Sequence, residues 1–445
     1  MTRTQQKPRV LGLYDGLDSG CSYYRLISPF VELSSMGRVY DYLSLANDDG
    51  GFTQAQKRLA GATYEMTTLL RPVVSLDGQE NQPVDAVNLE LIKMLIERVH
   101  QAGSLFGGDI DDDMWSVEKH NPAYEALGEH TPERIKVTLK GMDFVTCSTQ
   151  FLRQRIMDVC GVESDRVVVV PNLIDFDLYN REDWIMDGPA PEPGESEPQK
   201  VQLSMPQIRH RRLTGLGVND ATKPVVIGIQ GGLSHIEDWK QVSKSLKKVA
   251  AKYGKRVRFV IGGGNFDYLK EDLKEATEAG LVWWKTWTPF LQHSETVMSF
   301  DINLCPLEPT LFNRSKSAIK YLEAGAAGAA SVVSPTVYED YVTPGATALV
   351  AREPDDWFEA ICALIDKPEA RREMARNAHM VVKSSYDQSS HAYLWHNAYS
   401  GLYGRYGRSL AGKVDRAAMA EAVEMQAMAE YQRAHKERLA EMVAS

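Results

Sequence analysis

The chain has 445 residues, 43% hydrophobic and 25% charged, with a formal net charge of −10, and that length exceeds what one hydrophobic core usually supports, so two domains are expected. The composition excludes collagen-like, disordered and disulfide-rich classes, and the acidic balance opposes loose binding to nucleic acid or anionic membranes, because phosphate attraction scales with basic residues. Cys21, Cys147, Cys160, Cys305 and Cys362 are scattered without CxxC or Cys/His spacing, which argues for reduced cytoplasmic thiols over a disulfide framework or zinc site.

Residues 1–8 are polar and lead directly into a strand. Short apolar runs then alternate with amphipathic helical stretches, the rhythm of parallel sheets with crossover helices. Strand 9–14 is followed by a loop over 15–22, holding Gly16 and Gly20, and by a helix over about 23–36. Further strands are expected at 104–110, 144–147 and 167–170. The segment 188–199 is rich in Pro, Glu and Gly and precedes the basic cluster Arg209, His210, Arg211 and Arg212, which reads as a linker or insertion. A second strand series follows at 225–230, 257–261, 282–284, 302–305, 330–334 and 347–350, with helices at 238–253 and 315–326 among them. From about Pro354 the pattern is helical throughout. In the tail 411–445, Met419, Val423, Leu439 and Val443 fall at four-residue steps, which predicts a helix packing on its own domain or on a partner, including a second copy. No apolar run reaches bilayer-spanning length, so stable membrane insertion is not expected. The division that results is 1–185, a linker 186–222, 223–384, returning helices 385–410, and the tail.

The stretch 304–334, LCPLEPTLFNRSKSAIKYLEAGAAGAASVVS, runs from a strand end through a polar loop into a helix, then through Gly328 into another strand. Backbone amides at such a helix start, with the cations Arg314 and Lys316, suit a diphosphate. Asn313, Ser315 and Ser317 share the loop. Lys320 and Glu323 follow, and Glu323 lies seven residues beyond Lys316, about two turns, so both project from one face if the helix includes them. A carboxylate there accepts hydrogen bonds from ribose hydroxyls. The alternative is an amphipathic surface helix with local salt bridges.

This stretch resembles the donor-site signature of the retaining GT-B glycosyltransferases of the glycogen-synthase-like group (glycosyl transferases group 1), with Glu323 as that group's second glutamate. Ser315 stands in place of the first, eight positions earlier, leaving Asn313 or Glu308 as candidates for its sugar-hydroxyl contact. The runs FVTCSTQFLRQRIMDVCGVESDRVVVVPNLID, VVIGIQGGLSHIEDW, VRFVIGGGNFDYL and VWWKTWTPFLQHSETVMSFDINLCPL resemble, in the right order, the end of the family's N-terminal domain and successive units of its donor domain. Where the family commonly has an arginine and a lysine facing the phosphates, this chain has Gly231, Gly232, Ser234 and His235, which shifts the phosphate counter-charge to Arg314 and Lys316. Gly263 belongs to a glycine triplet that lacks the full dinucleotide fingerprint of a dehydrogenase. GDIDDDMW and FNRSKSAIKYLE resemble, more narrowly, proteins of tailed phages, implying a host cytoplasm.

In the N-terminal half, Gly20 is placed facing the donor diphosphate, with Arg25 either near it or solvated. Asp111 and Asp112, in the acidic run 109–113, sit where ligands gather at a strand's C-terminal edge; they contact acceptor or sugar, hold a metal ion, or cap a helix. Trp283, Trp284 and Trp287 read as core. The resemblance implies an α/β fold of GT-B type: two Rossmann-like doubly wound domains facing a central cleft, with a helical C-terminal tail. It also implies transfer, with retention, from a nucleotide-diphosphate sugar, UDP-sugar favoured and with no obligatory metal, to the hydroxyl of a macromolecular acceptor. Protein or glycan is preferred over a modified DNA base as that acceptor. Catalytic roles fall to Arg314, Lys316, Asp111, Asp112 and His235; donor contacts to Gly20, Gly231, Gly232, Ser234, Gly263, Asn313, Ser315, Ser317, Lys320 and Glu323. A sugar-nucleotide epimerase or phosphorylase of the same fold, or a non-catalytic binding module, are the alternatives.

Overall fold

The computed structural model describes residues 7–14, 19–45, 64–71, 84–127, 131–179, 224–263, 267–288 and 290–410. The linker 186–222 with its basic cluster, Gly16, Gly264 and the tail 411–445 lie outside the described residues.

Two six-stranded parallel sheets organise the chain. β1 (Val10–Tyr14), β2 (Tyr40–Ser44), β3 (Met66–Leu70), β4 (Leu105–Ile110), β5 (Phe144–Cys147) and β6 (Val167–Val169) pair in the order β2-β1-β3-β4-β5-β6. β7 (Val225–Gly231), β8 (Val257–Gly263), β9 (Val282–Lys285), β10 (Ile302–Cys305), β11 (Ala330–Val333) and β12 (Leu349–Val350) pair in the order β12-β11-β10-β7-β8-β9. Every strand pairing is parallel, and strands such as VLGLY and INLC are apolar because helices cover both faces. Counted from β7, the second sheet has the Rossmann order, whose strand direction of winding reverses between β7 and β10; in the first sheet the reversal lies between β1 and β3. β2 and β3 lie outside the strands expected from sequence, since YDYLS and the Thr67–Thr68 pair dilute the apolar signal.

The helices follow from periodic apolar faces and end signals. α1 starts as Gly20–Ser22, passes through a π-helical stretch, Tyr23–Ile27, and continues as Ser28–Ser35; Ser19 Oγ accepts from Ser22 N. α2 (Val84–Gln101), α3 (Thr131–Gly141) and α4 (Gln150–Cys160) are the longer helices that follow in the first unit, and α4 runs from the Thr149 cap to Gly161 in the left-handed region. α5 (Ile236–Tyr253) presents Trp239, Val242, Leu246 and Val249 to the second sheet, the spacing of one helical face. α6 (Phe290–Met298) and α7 (Ile319–Ala326) flank the cleft. α8 (Pro354–Asp366) and α9 (Pro368–Tyr386) close the second unit. The chain then crosses back: Ile174 N donates to Tyr386 O and Gln388 N to Ile174 O. α10 (Tyr393–Leu410) then buries Trp395, Tyr399 and Leu402 among Phe30, Tyr40 and Phe144 of the first unit. No helix among the described residues is long and apolar enough to cross a membrane.

One expected element differs. The helix predicted over 315–326 begins only at Ile319; a separate turn, Leu311–Arg314, precedes it, capped by Thr310 Oγ1. Ser315 Oγ donates to Leu311 O at 3.0 Å, and such side-chain bonds to backbone offer the chain an alternative to continuous helix. Lys316 therefore lies in the connection before α7, and the two-turn relation to Glu323 does not hold.

Candidate active site

A cavity of about 360 Å³ opens between the C-terminal ends of the two sheets. From the first unit come Gly20 and Tyr24 of α1, Arg71 after β3, Asp111 and Asp112 after β4, and Asn172. From the second come Gly231, Gly232, Ser234 and His235 after β7, and Gly263 at the end of β8. Lys316, Ser317, Lys320 and Glu323, in and before α7, complete that wall. Both points where strand order reverses thus face the same space, the position where open α/β sheets bind ligands. Gly263 has φ +125°, and a Cβ there would stand 1.9 Å from Gly231 O, so only glycine lets β7 and β8 end side by side as the floor.

The two lysines differ in their company. Lys316 Nζ is 3.3 Å from Asp112 Oδ1 and 4.0 Å from the Phe312 ring centroid. The Lys320 ammonium has no hydrogen-bond or ion-pair partner among the described residues, and burial, then the Lys316 charge, pull its pKa below the ordinary lysine value. A partly desolvated cation without a partner costs free energy, and among the described residues no carboxylate lies within pairing distance of Lys320 to offset it.

Arg314, Asn313 and Ser315 do not reach the cavity. The Leu311–Arg314 turn carries Arg314 outward, where its Nη1 donates to Thr336 O at 2.6 Å and pairs with Asp340 at 3.1 Å. Asn313 Nδ2 donates to Asp238 Oδ1 at 2.7 Å, and Glu308 N to the same oxygen at 2.8 Å. Ser315 is fully buried and its carbonyl accepts from Thr149 Oγ1 of the first unit at 3.0 Å. These residues brace the loop and the contact between units, with Asn172 Nδ2 donating to Ser317 Oγ at 2.9 Å and Asn121 Nδ2 to Ser234 O at 3.1 Å.

Glu323 is buried. Its Oε1 accepts from Tyr24 and Tyr179 hydroxyls at 2.7 and 3.2 Å, and Oε2 lies 3.3 Å from His293 Nε2. Burial alone would raise its pKa, but His293, Tyr24 and Lys320 outweigh it, and Glu323 is held as a carboxylate. Tyr23 and Tyr24 close this corner by packing on Phe290, with centroids 4.4 and 5.0 Å away.

The acidic run is fully engaged with cations. Asp109 pairs with Arg25 at 2.7 Å, Asp111 and Asp112 with Arg71 at 2.7 and 2.8 Å, and Asp113 with Arg155 at 2.8 Å. Arg25 is fully buried, not solvated, and its guanidinium sits 4.6 Å over the Trp395 ring. Among the described residues no group of His, Cys, Asp and Glu has the arrangement of a metal site.

His235 Nδ1 is 2.7 Å from Asp238 Oδ2. Burial, then Lys320 and Lys316, push its pKa down to about 4 despite that carboxylate. Near neutral pH the imidazole is uncharged, with Nδ1–H assigned toward Asp238 and Nε2 left as an acceptor. Because the unfolded chain binds this proton near pH 6.5 and the folded chain does not, folding stability falls as pH drops from about 6.5 to about 4. Denaturant unfolding at stepped pH is expected to show this slope, and His235→Gln to flatten it; an unchanged slope in the variant would place the titrating group elsewhere.

Trp283 and Trp287 are 42% and 61% exposed, contrary to the core reading. β9 is the edge of its sheet, and Trp287 lines the cavity; Trp284 packs partly against the second unit's core. Arg71, Lys285, Tyr179, His293 and Asn172 escaped the sequence reading. Lys285, a cation closing a strand, had a legible signal; Arg71 follows a strand that was not expected, and the His293 and Tyr179 contacts exist only through packing.

Residues 240–396 match the family described as glycosyl transferase-like. No curated protein sequence matches the chain. Among solved structures, Anabaena HepE in complex with UDP-glucose is 12% identical with a TM-score of 0.55, over 88% of this chain and 99% of that one. Sucrose-phosphate synthase from Thermosynechococcus elongatus is 13% identical with a TM-score of 0.59, over 89% and 99%. A glycosyltransferase from Rickettsia africae is 12% identical with a TM-score of 0.51, over 92% and 100%. With two parallel α/β units facing one cleft and a C-terminal helix returning to the first, the chain has the two-domain, Rossmann-like GT-B fold.

Proposed function

We propose that the chain is a nucleotide-sugar-dependent glycosyltransferase, with a UDP-sugar as the favoured donor and a hydroxyl of a protein or glycan as acceptor. The observation that carries this reading is the Lys320 ammonium, without a partner among the described residues, beside Lys316 on the wall of a cavity between two Rossmann-like units. The family match over 240–396 and the UDP-glucose bound by HepE support it. In transfer, the bond from the sugar's anomeric carbon to the diphosphate breaks and one to the acceptor oxygen forms. The acceptor proton passes to a phosphate oxygen, consistent with retention. Charge grows on the leaving diphosphate, and lysines already fixed there stabilise the transition state more than the ground state. No obligatory metal ion is part of this reading. In this reading Asp111 and Asp112, across the cavity, orient the acceptor, and ribose hydroxyls replace Tyr24, Tyr179 or His293 on Glu323.

A thermal-shift series with UDP-, GDP- and ADP-sugars tests this, since a ligand bound only by the folded state stabilises it by mass action. A concentration-dependent rise in Tm is expected with the UDP-sugar, and release of UDP when acceptor is added. No rise with any nucleotide sugar would overturn the reading.

A further inference from the structure

Three strands of the second sheet end side by side beneath the cavity. Register sets Gln230 of β7 beside Gly262 of β8, and Gly262 beside Lys285 of β9, and all three line the cavity. Because Gly262 has no side chain, the row is a notch with an amide on one wall and an ammonium on the other. A Cβ built on Gly262 would meet Gln230 Oε1 at 3.5 Å and Lys285 Cβ at 3.8 Å.

Both walls present hydrogen-bond donors with unused capacity. Gln230 Nε2 is buried with no partner among the described residues, an arrangement that natural structures rarely tolerate without a ligand or water to complete it. Lys285 Nζ donates to Thr296 Oγ1 at 2.9 Å and lies 4.9 Å from the Trp283 ring centroid. Its ammonium carries three donors and no acceptor, and Thr296 takes one of them, so it has capacity for oxygen acceptors. Lys316 and Lys320 stand after β10, on the far side of β7 from this notch, and exposed Trp287 lines the same cavity.

We infer that the Gln230–Gly262–Lys285 notch selects the nucleobase of the donor, taking a 2,4-dioxopyrimidine such as uracil and rejecting bases that turn an exocyclic amino group toward Lys285. The inference rests on the donor reading above. A carbonyl accepts from the ammonium, the second carbonyl accepts from Gln230 Nε2, and the flat ring fills the space over Gly262. With cytosine, an amino donor would oppose an ammonium donor, leaving both unsatisfied out of water, the situation in which polar sites discriminate most strongly.

Calorimetric titration of the full chain with UDP, CDP, GDP, ADP and inorganic pyrophosphate tests this, on wild type and on Lys285→Met, Gln230→Leu and Gly262→Val. UDP is expected to bind at least about tenfold tighter than CDP, GDP or ADP. Lys285→Met is expected to bring the UDP/CDP ratio near one while leaving pyrophosphate affinity unchanged. Gly262→Val, whose side chain would fill the notch, is expected to lose UDP and keep pyrophosphate, a result independent of whether Lys285→Met folds. Equal UDP and CDP affinities in wild type, GDP tighter than UDP, a ratio preserved in both Lys285→Met and Gln230→Leu, or parallel losses of UDP and pyrophosphate in Lys285→Met would each overturn the base assignment. Pyrophosphate binding that depends on Lys320 would leave the donor reading standing in those cases; absence of both nucleotide and pyrophosphate binding would overturn the two together.

Discussion

Lys320→Met is expected to weaken binding of the donor nucleotide by about 10²-fold, the scale of losing one charged contact to a phosphate in a water-poor site, while the ligand-free Tm stays level or rises. The two halves of this result come from one fact: the Lys320 ammonium is desolvated and without a partner among the described residues. Methionine keeps most of the chain length and removes the charge, so the ligand-free protein no longer bears the cost of desolvating that cation. Neighbouring positions behave differently. Lys316 pairs with Asp112 and Glu323 accepts from Tyr24 and Tyr179, all contacts between the units, so Lys316→Ala and Glu323→Ala should lower donor affinity and ligand-free stability together. Calorimetry with UDP and a thermal melt of the same Lys320→Met sample decide it. A variant that binds UDP like wild type would remove Lys320 from the site.

The largest stability effect is expected at Asp109. Replacing it with alanine leaves Arg25, buried and bound also to Val170 O and Asn172 Oδ1, without its carboxylate. Breaking one side of a buried ion pair typically costs about 3–5 kcal/mol, and for units of this size each kcal/mol lowers Tm by about 2–4 °C. A fall of roughly 10 °C is therefore expected, with Asp109→Asn milder because the amide oxygen still accepts one bond. The pair also anchors the returning helix, since the Arg25 guanidinium stacks on Trp395, so α10 should become more open to proteolysis in Asp109→Ala. A loss under about 1 kcal/mol in denaturant unfolding would mean that Arg25 finds another partner or water.

The wall of the cavity formed in and before α7 was partly legible beforehand. KYLEAGAAGAASVVS carries its own punctuation: an apolar helix face, small residues where α9 packs closely, and Gly328 at a left-handed turn before β11. At Gly325 a Cβ would stand 2.7 Å from Val382 Cγ2, so smallness there is a packing demand of one helix on another. Arg314 shows where such reading stops. Its charge and its place beside Lys316 are sequence facts, but its direction is set by the Leu311–Arg314 turn, which the Ser315 hydroxyl ends one residue later. The acidic run was likewise visible, whereas its engagement with Arg25, Arg71 and Arg155 depends on strands and helices far apart in the chain.

By itself, the sequence determined the alternation of buried parallel strands with amphipathic helices, hence two α/β units, because side-chain periodicity and turn residues act over a few positions. It also determined that glycines and lysines cluster at the strand ends of the second unit. The tertiary structure alone decided which of those charges face the cleft. It paired every carboxylate of the acidic run with a cation, left Lys320 without a partner among the described residues, and set Tyr24 and Tyr179 of the first unit on Glu323 of the second. Desolvation and pairing depend on what packs across tens to hundreds of residues of chain, and no local pattern encodes them.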